Sequence, residues 1–362
     1  MTKNAYIHIP FCVKKCNYCA FTSYNNLQRK KDYIDALLVE VNTNYQKEKL
    51  NTLYFGGGTP SLLSVEDVSK IISCFNFSEN AEVTIEVNPN KLKFEYLSEL
   101  RRLGINRLSI GAQTFNEQIL REIGRLHSVD DIFLSVKNAR KSGFKNISLD
   151  LIYGLPNQSL ADFGISLKKV IEIGVEHISL YGLKIEEDTY FYKNPPQKLP
   201  DEDMQADMYL LAKNVLSEAG FSRYEISNFA KKGFESRHNL NYWNANTYYG
   251  FGCGAHGYEN NIRYENEENL ENYILNPLNK KHKYELTKQE KIEEQIFLGF
   301  RKTSGIDVNS LKEKFGYDFE TCHDQTINKF LKTGHLIKTK QGYALTSTGF
   351  LLSNLILSEF LA

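Results

Sequence analysis

Three cysteines near the N-terminus have the spacing of a metal-cofactor site. Cys12, Cys16 and Cys19 form the pattern Cys-x3-Cys-x2-Cys, with no fourth cysteine or histidine immediately beside them. A structural zinc site usually has four ligands, often in two separated pairs. Three thiolates can hold three irons of a [4Fe–4S] cube and leave the fourth iron open to a small molecule. The alternatives to this interpretation are three unrelated buried thiols or a zinc knuckle.

A glycine-rich segment follows the second predicted strand. Gly56-Gly57-Gly58-Thr59-Pro60 lies between that strand and the next predicted helix. Glycines let a backbone approach a ligand closely and direct its amides toward it. A lone glycine triplet is a weak signal, and a tight turn is its structural alternative.

Four polar side chains are predicted at or near strand ends. Glu86, Gln113, Arg125 and Asp150 could bind a ribose, an ammonium group or another polar ligand, or could simply be solvated. Asp150 lies inside the apolar segment 147–152 and would be costly to bury without a partner. We expect Arg125 to be that partner, unless both residues bind a second ligand.

A second distinctive segment contains the one tryptophan of the chain. Imidazole is a natural axial ligand of haem iron, and aromatic side chains can pack on a porphyrin face. A histidine beside aromatic residues can equally be a hydrogen-bonded structural residue. The candidate haem-binding residues are His238, Asn239, Tyr242 and Trp243, with Cys253 and His256 as secondary candidates in a glycine-rich loop.

Short apolar segments alternate with amphipathic helical patterns in the first half of the chain. The predicted strands are 5–9, 52–55, 83–87, 107–110, 147–152 and 177–181, and the predicted helices are 31–45, 65–74, 94–103, 129–142 and 160–173. Ser64 and Ser128, each followed three residues later by Asp, are predicted N-caps. Repeated βα units indicate a parallel sheet, and in a βα barrel the chemistry lies at the C-terminal ends of the strands. Since the cysteine loop, the glycine segment and the polar residues all fall at such ends, we expect one shared site.

The second half of the chain has a different pattern. Residues 201–219 predict a long helix, and the polar residues 261–285 predict a connecting segment. The sequence then predicts helices at 288–301, 308–315 and 319–332, a hairpin of 335–338 with 343–345, and a closing helix at 348–360. A capping box at Thr287 and Glu290 opens the first of these helices. Helices followed by a hairpin and a helix resemble a winged-helix fold.

Composition excludes several classes of protein. The 362 residues are 41% hydrophobic, enough for a large core, and Lys+Arg equal Asp+Glu at 44 each, so no overall charge favours nucleic acid. No apolar run approaches the roughly 20 residues of a spanning helix, and residues 1–4 lead directly into a strand without a signal peptide. The six cysteines do not predict a disulfide framework. We therefore expect a cytoplasmic protein in which Cys74, Cys253 and Cys322 are reduced thiols.

Together these segments resemble the radical SAM superfamily and, within it, the oxygen-independent coproporphyrinogen III oxidase family. The resemblance runs from Tyr6 to the last helix. It implies an α/β fold, a partial (βα)6 TIM-like barrel of radical SAM type with a small C-terminal α-rich winged-helix-like domain. It also implies a [4Fe–4S] cluster on the three cysteines and S-adenosylmethionine (SAM) on the open iron. By position in the family pattern, the residues implied at the first SAM are Tyr6, Tyr18, Gly57 and Glu86, and those matching a second SAM in the oxidase are Gly58, Thr59, Gln113, Arg125 and Asp150.

Two departures from the oxidase point to a sister branch of the family, the haem chaperones. Phe21 stands where the oxidase has a fourth cysteine, and only residues 1–4 precede the first strand. The His-Asn-x-x-Tyr-Trp pattern at 238–243 is typical of that branch. The resemblance therefore implies haem as cargo, held on His238 or a nearby side chain and passed to haem-accepting respiratory proteins, with peripheral membrane association through the acceptor.

Under this interpretation the chain divides into three regions, and two other functions are alternatives to that of a haem chaperone. The regions are a radical SAM barrel at 1–220, a haem- or substrate-side extension with a connecting segment at 221–285, and the winged-helix-like domain at 286–362. One alternative function is oxidation of coproporphyrinogen III to protoporphyrinogen IX by radical chemistry. The other is nucleic-acid binding through the winged-helix-like domain, which the balanced charge disfavours.

Overall fold

A nine-stranded sheet is the centre of the fold in the computed structural model, which describes residues 2–90 and 92–361. Its strands are β1 (Asn4–Ile9), β2 (Lys49–Gly57), β3 (Asn76–Val87), β4 (Arg107–Gln113), β5 (Asn146–Tyr153), β6 (His177–Gly182), β7 (Ser222–Arg223), β8 (Asn228–Ala230) and β9 (Tyr249–Phe251). Strands β1 to β6 are parallel and adjacent in chain order. Strand β9 pairs in parallel with the outer edge of β1, and β8 pairs antiparallel with β6. The predicted partial (βα)6 barrel is therefore confirmed.

The outer face of this sheet is covered by α1 (Lys30–Asn44), α2 (Val65–Ile72), α3 (Phe94–Arg102), α5 (Val129–Lys141), α6 (Leu160–Ile173) and α8 (Glu202–Glu218). The short helices α4 (Glu117–Glu122) and α7 (Tyr190–Lys193) pack in a separate small cluster, and α9 (Arg237–Trp243) lies at one end of the barrel interior. The predicted capping boxes are present at Ser64 with Asp67 and at Ser128 with Asp131. Such boxes satisfy backbone N–H groups that the first helical turn leaves without partners.

Alternating side chains of the strands define the two faces of the barrel wall. Leu53 and Phe55 of β2 point into the layer between sheet and helices and are fully buried there. Thr52 and Tyr54 alternate with them, so they face the interior of the barrel. The interior is consequently lined by polar side chains, while the apolar core lies outside the barrel.

The segment predicted as a connection, 261–285, is ordered structure, which corrects the sequence interpretation. It contributes to a second sheet of β10 (His256–Glu259), β11 (Ile262–Asn266) and β12 (Lys280–Glu285), with α10 (Leu270–Leu275) between the last two strands. The strand β12 was missed because all but its first residue are exposed, so Lys280–Glu285 has no apolar alternation. Two lysines of this segment form ion pairs, Lys280 with Glu40 and Lys281 with Glu265 and Glu268.

A buried carboxylate holds the second sheet against α1. Glu40 has no exposed surface, and its carboxylate accepts hydrogen bonds from Lys280 Nζ (2.7 Å), Asn266 Nδ2 (2.8 Å), the Tyr273 hydroxyl (2.7 Å) and the Gly252 amide (2.8 Å). A buried charge is tolerated only when partners of this kind replace its water.

The C-terminal part of the chain forms a second, smaller core. Its elements are α11 (Lys288–Phe300), β13 (Ile306–Asp307), α12 (Val308–Phe315), α13 (Phe319–Cys322), α14 (Asp324–Lys332), β14 (Leu336–Lys338), β15 (Gly342–Leu345), α15 (Ser347–Leu351) and α16 (Ser353–Ser358). Phe300, Phe319 and Phe360 pack together at its centre. The predicted hairpin and the capping box at Thr287 are present.

Two long helices predicted in this part are each divided. The segment 319–332 is interrupted at His323, whose ring turns inward to bond the Tyr317 hydroxyl (2.8 Å). The segment 348–360 is divided at Leu352. The three predicted region boundaries remain a prediction. Within the described residues, no helix is both long enough and apolar enough to cross a bilayer.

We predict that Glu40→Ala lowers the free energy of unfolding by about 3 kcal/mol, because it leaves Lys280 and several donors without their buried acceptor. Urea denaturation followed by circular dichroism measures the loss. Glu271→Ala is the matched control, since Glu271 joins α10 to Arg29 through an exposed ion pair. That control is expected to cost much less, because water screens an exposed ion pair. Equal losses in the two variants would contradict the anchoring role of Glu40.

Candidate cofactor site at the barrel mouth

A cavity of about 780 Å³ opens at the C-terminal ends of the barrel strands. It brings together residues that are distant in sequence, as expected from their places at strand ends, and their shared function stays a prediction. The predicted site residues on its wall are Cys12, Cys16, Tyr18, Cys19, Gly57, Gly58, Thr59, Glu86, Gln113, Arg125 and Asp150.

The cysteine loop is held by hydrogen bonds on both sides of its first cysteine. Cys12 donates its amide to Tyr24 O (2.9 Å), and Tyr24 donates its amide to Pro10 O (2.7 Å). The Cys12 thiol contacts the Thr59 hydroxyl at 3.5 Å. These contacts join the two ends of the loop and hold the first thiol beside the glycine segment.

Asn17 fastens the far side of the loop to the turn after α4. Its amide donates to Ile123 O (3.0 Å), and its side chain donates to Glu122 O (2.7 Å). Gly124 in this turn has φ +79°, and a Cβ there would lie 3.0 Å from Asn17 Oδ1. A glycine is therefore needed for the close approach that brings the next residue, Arg125, to the cysteines.

Arg125 joins the cysteine loop to strand β4. Its Nη1 donates to the Cys16 sulfur (3.5 Å), and its Nη2 donates to Gly111 O (2.6 Å). A guanidinium beside a thiolate stabilises the anionic form that metals require. A Cβ on Gly111 would lie 2.7 Å from Gln113 Nε2 and 3.0 Å from Arg125 Nη2, so a larger residue there would displace the ends of these two side chains.

The glycine segment serves close packing as well as ligand approach. A Cβ on Gly58 would lie 2.6 Å from Phe11 O and 3.0 Å from the Cys12 sulfur. Gly57 has φ +114°, and a Cβ there would lie 2.8 Å from the His8 ring. The triplet thus lets the cysteine loop rest directly on the end of β2.

Glu86 places a carboxylate on the cavity wall. It accepts a hydrogen bond from the Tyr54 hydroxyl (2.9 Å) and faces the amide of Gly57. Burial, together with the nearby carboxylate of Asp150, raises the pKa of Glu86 to about 7. A carboxylate in this position can accept from a ribose hydroxyl or an ammonium group of a ligand.

Asp150 is satisfied by hydroxyl groups, and the expectation that Arg125 is its partner is wrong. Ser109 Oγ lies 3.1 and 3.2 Å from the two carboxylate oxygens, and Ser148 Oγ lies 3.3 Å from one of them. Burial raises the pKa of Asp150, and the guanidinium of Arg107 opposes that shift. The cation that compensates Asp150 is therefore Arg107, inside the barrel, rather than Arg125 in the turn after α4.

Gln113 combines burial with an unusual backbone. Its φ is +65°, a left-handed conformation that residues other than glycine adopt rarely. Its side chain is only 9% exposed. Such strain concentrates at functional sites, where surrounding contacts hold it.

Tyr6 lies below the cavity rather than on its wall. Its hydroxyl donates to His8 Nδ1 (3.0 Å), while His8 Nε2 donates to Thr22 O (2.8 Å). Burial lowers the pKa of His8 to about 4, so this imidazole is neutral near pH 7. The Tyr6 ring stacks on Tyr54 at 6.2 Å, which connects it to Glu86 through one intervening side chain.

The predicted haem-binding residues lie at the opposite end of the barrel interior from the cysteines. His238 is 1% exposed and bonds Thr52 Oγ1 (2.7 Å) and the Tyr242 hydroxyl (2.8 Å). Asn239 lies in the first turn of α9 and donates its amide to Ser236 Oγ (3.3 Å), while Trp243 ends that helix beside the buried Glu225. This setting favours the hydrogen-bonded structural alternative, and haem ligation by these residues stays a prediction.

The secondary haem candidates are separated from each other. Cys253 is fully buried, and its thiol donates to Glu268 O (2.9 Å). His256 is exposed on β10. Neither side chain lines the cavity.

Some residues of the site were missed from the sequence. Tyr54, Ser109 and Tyr181 line the cavity, and Arg107 lies beneath it with 2% exposure. Tyr54 could have been found from strand alternation, since it points to the same side as Thr52 and lies diagonally beside Glu86 in the register of β2 with β3. Arg107 gave no such signal, because charged residues at strand starts are usually solvated.

The donor set fits an iron–sulfur cube. Three thiols share one cavity with the cationic side chains of Arg125 and Lys15, which can offset the negative charge of thiolate ligands. Among the described residues, no three or more His, Cys, Asp or Glu side chains surround a point where one metal ion could be held. In a cube each thiolate binds a different iron, so its ligands need not surround one ion.

Family models match both parts of the chain. Residues 6–170 match the radical SAM superfamily, and residues 286–352 match the HemN C-terminal domain. The coproporphyrinogen III oxidase HemN from Escherichia coli, described as a radical SAM enzyme, has a TM-score of 0.88 at 24% identity over 99% of this chain and 90% of its own. This likeness shows that the two share the fold.

Relatives that match nearly the whole chain identify its family within the superfamily. The heme chaperone HemW of Bacillus subtilis (strain 168) is 39% identical over 99% of both chains. The heme chaperone HemW of Lactococcus lactis subsp. lactis (strain IL1403) is 38% identical over 99% of this chain and 97% of its own. The chain therefore belongs to the radical SAM superfamily and, within it, to the HemW family.

We predict that Glu86→Gln raises the free energy of unfolding by about 3 kcal/mol at pH 8 and much less at pH 5. The folded-state pKa of about 7 lies above the unfolded value of 4.5, so folding loses stability as pH rises between these values. An amide removes that loss. Denaturant titrations at both pH values measure the difference.

The control is Glu290→Gln, where the expected sign is opposite. Hydrogen bonds from Thr287 lower the pKa of Glu290, so its charge adds stability above the unfolded pKa. Replacing it should therefore lower stability at pH 8. A gain from Glu86→Gln that is equal at both pH values would contradict the pKa assignment.

Proposed function

We propose that this protein is a haem chaperone that binds a [4Fe–4S] cluster on Cys12, Cys16 and Cys19 and SAM at the open iron. The observation that carries the proposal is the convergence of the three thiols, the glycine segment and Glu86 on one cavity. Full-length similarity to two proteins named heme chaperone HemW supports haem as the cargo.

The residues of the cavity have separable roles in this proposal. Arg125 stabilises the Cys16 thiolate, and Thr59 contacts the Cys12 sulfur. Glu86 accepts from the ribose or the ammonium group of SAM. The bound cluster would supply one electron and an open coordination site. Tyr18, Gly57, Gly58, Gln113 and Asp150 shape the remaining wall, and Tyr6 supports it from below.

Haem is then passed to an acceptor protein that requires it. Haem-accepting respiratory proteins are the proposed class, reached from the cytoplasm. The predicted haem-binding residues are His238, Asn239, Tyr242 and Trp243. Phe21 occupies the position of the fourth cysteine of the oxidase and is 68% exposed at the cavity, where it offers no thiol to a substrate or metal.

We predict that Cys16→Ser abolishes stable cluster assembly, because a hydroxyl is a much poorer iron ligand than a thiolate. Anaerobic reconstitution followed by iron and sulfide analysis and visible absorbance measures cluster content. Cys322→Ser is the control, since Cys322 is an exposed thiol of the C-terminal part. Full cluster content in Cys16→Ser would overturn the cluster assignment.

Haem binding is tested by anaerobic titration of the reconstituted protein, followed by Soret absorbance. We expect stoichiometric binding by the native chain. The control is His323→Ala, which alters another buried histidine bonded to a tyrosine. Haem binding that weakens in His238→Ala but not in this control would place the haem-binding region on α9. No haem binding, with turnover of coproporphyrinogen III under the same reducing conditions, would overturn the chaperone function in favour of the oxidase.

A further inference from the structure

We infer that His238 is a positioning residue of the SAM site, which holds Tyr54 in place and through it orients the carboxylate of Glu86. This role rests on the proposed SAM site and differs from ligation of haem iron. It assigns His238 to a position behind the cavity wall, in contact with Tyr54.

Tyr54 is the physical link between the two ends of the barrel interior. Its hydroxyl donates to Glu86 Oε1 at 2.9 Å, and both residues line the cavity. Its ring stacks on the imidazole of His238, with centroids 5.0 Å apart and planes at 25°. Because Tyr54 lies between them, a shift of the imidazole changes where the phenol can reach.

The His238 ring is itself fixed by one chain of hydrogen bonds. Asn4 Nδ2 donates to Asn241 Oδ1 (2.7 Å), and Thr52 Oγ1 donates to Asn4 Oδ1 (3.1 Å). The Thr52 hydroxyl proton is thus used, so Thr52 accepts from His238 Nδ1–H at 2.7 Å. Nε2 is then the basic nitrogen, and it accepts the Tyr242 hydroxyl proton at 2.8 Å.

This assignment leaves the imidazole poorly suited to bind iron. The Nε2 lone pair that would bind a metal is occupied by Tyr242, and the side chain is 1% exposed. Burial lowers the pKa of His238 to about 3, so the ring is neutral near pH 7, as the hydrogen-bond chain requires. The same features make a rigid support for an aromatic neighbour.

Helix α9 is anchored so that this support does not move. Glu82 of β3 accepts the backbone amides of Arg237 (3.1 Å) and His238 (3.0 Å) through its two carboxylate oxygens. Since β3 also carries Glu86, the support and the supported carboxylate are attached to the same strand. The spacing between them is therefore set by the sheet.

The test measures the dissociation constant of SAM by anaerobic equilibrium dialysis with the reconstituted full-length protein. The variants are His238→Ala, which removes the stacked ring, His238→Phe, which keeps a ring but cannot bind iron, and Tyr54→Phe, which removes only the hydroxyl. The control His323→Phe removes another buried histidine that bonds a tyrosine and packs on Phe319. Thermal unfolding is recorded for every variant.

We expect His238→Ala and Tyr54→Phe each to weaken SAM binding about tenfold, the effect of losing one well-placed hydrogen bond to a charged group. The double variant should be no weaker than either one, because both changes act on the same contact. His238→Phe should bind SAM within about twofold of the native protein even if it unfolds at a lower temperature, and His323→Phe should bind it unchanged.

Each other outcome overturns the inference. Native SAM binding in either His238→Ala or Tyr54→Phe, or weak SAM binding in His238→Phe, overturns the positioning role while the proposed function stands. If the native protein fails to bind SAM, the proposed SAM site and the positioning role of His238 are both overturned. If His238→Ala does not fold, Tyr54→Phe and His238→Phe decide, and haem titration of His238→Phe shows separately whether an imidazole is needed there.

Discussion

Burial of polar side chains inside a narrow barrel is the constraint on which the rest of this structure depends. Arg107 is 2% exposed among the carboxylates of Glu86 and Asp150. Asp150 continues through Ser148 (3.3 Å) to His177 (2.8 Å). A polar group buried here favours a partner within the protein, because an unmatched one costs about 1–3 kcal/mol. The hydrogen bonds of Asp150, Ser148 and His177 accordingly form one continuous chain across the strands.

This network explains why the chain after β6 belongs to the site. His177 bonds the Tyr224 hydroxyl at 2.8 Å, which in turn accepts the Ser236 amide at the start of α9. His238 completes the floor from that helix. Tyr224 O also accepts the backbone amide of Thr303, a residue of the C-terminal part. Hydrogen bonds through Tyr224 thus connect the barrel interior to the C-terminal part of the chain.

The features that could be predicted from sequence are those that depend on residues close together in the chain. The six parallel strands and the capping boxes depend on neighbouring residues, and they appear in the structure, although β2 and β3 are longer than predicted. The partner of Asp150 was assigned wrongly because a sequence does not show which side chains meet across adjacent strands. The segment 261–285 was missed for a related reason: Glu40, its buried anchor, lies in α1, far away in sequence.

The cavity consequently has two parts with opposite chemistry. Its floor and walls are polar and rigid, with left-handed backbone at Gln113 and glycines that allow contacts closer than any side chain would permit. Its rim carries aromatic side chains that contribute little to the core, since Phe21 is 68% and Tyr181 44% exposed. Exposed aromatic groups around a cavity favour contact with apolar surfaces, whereas fixed polar groups favour orientation of a charged ligand. The cavity therefore combines fixed polar groups at depth with exposed aromatic rings at its edge.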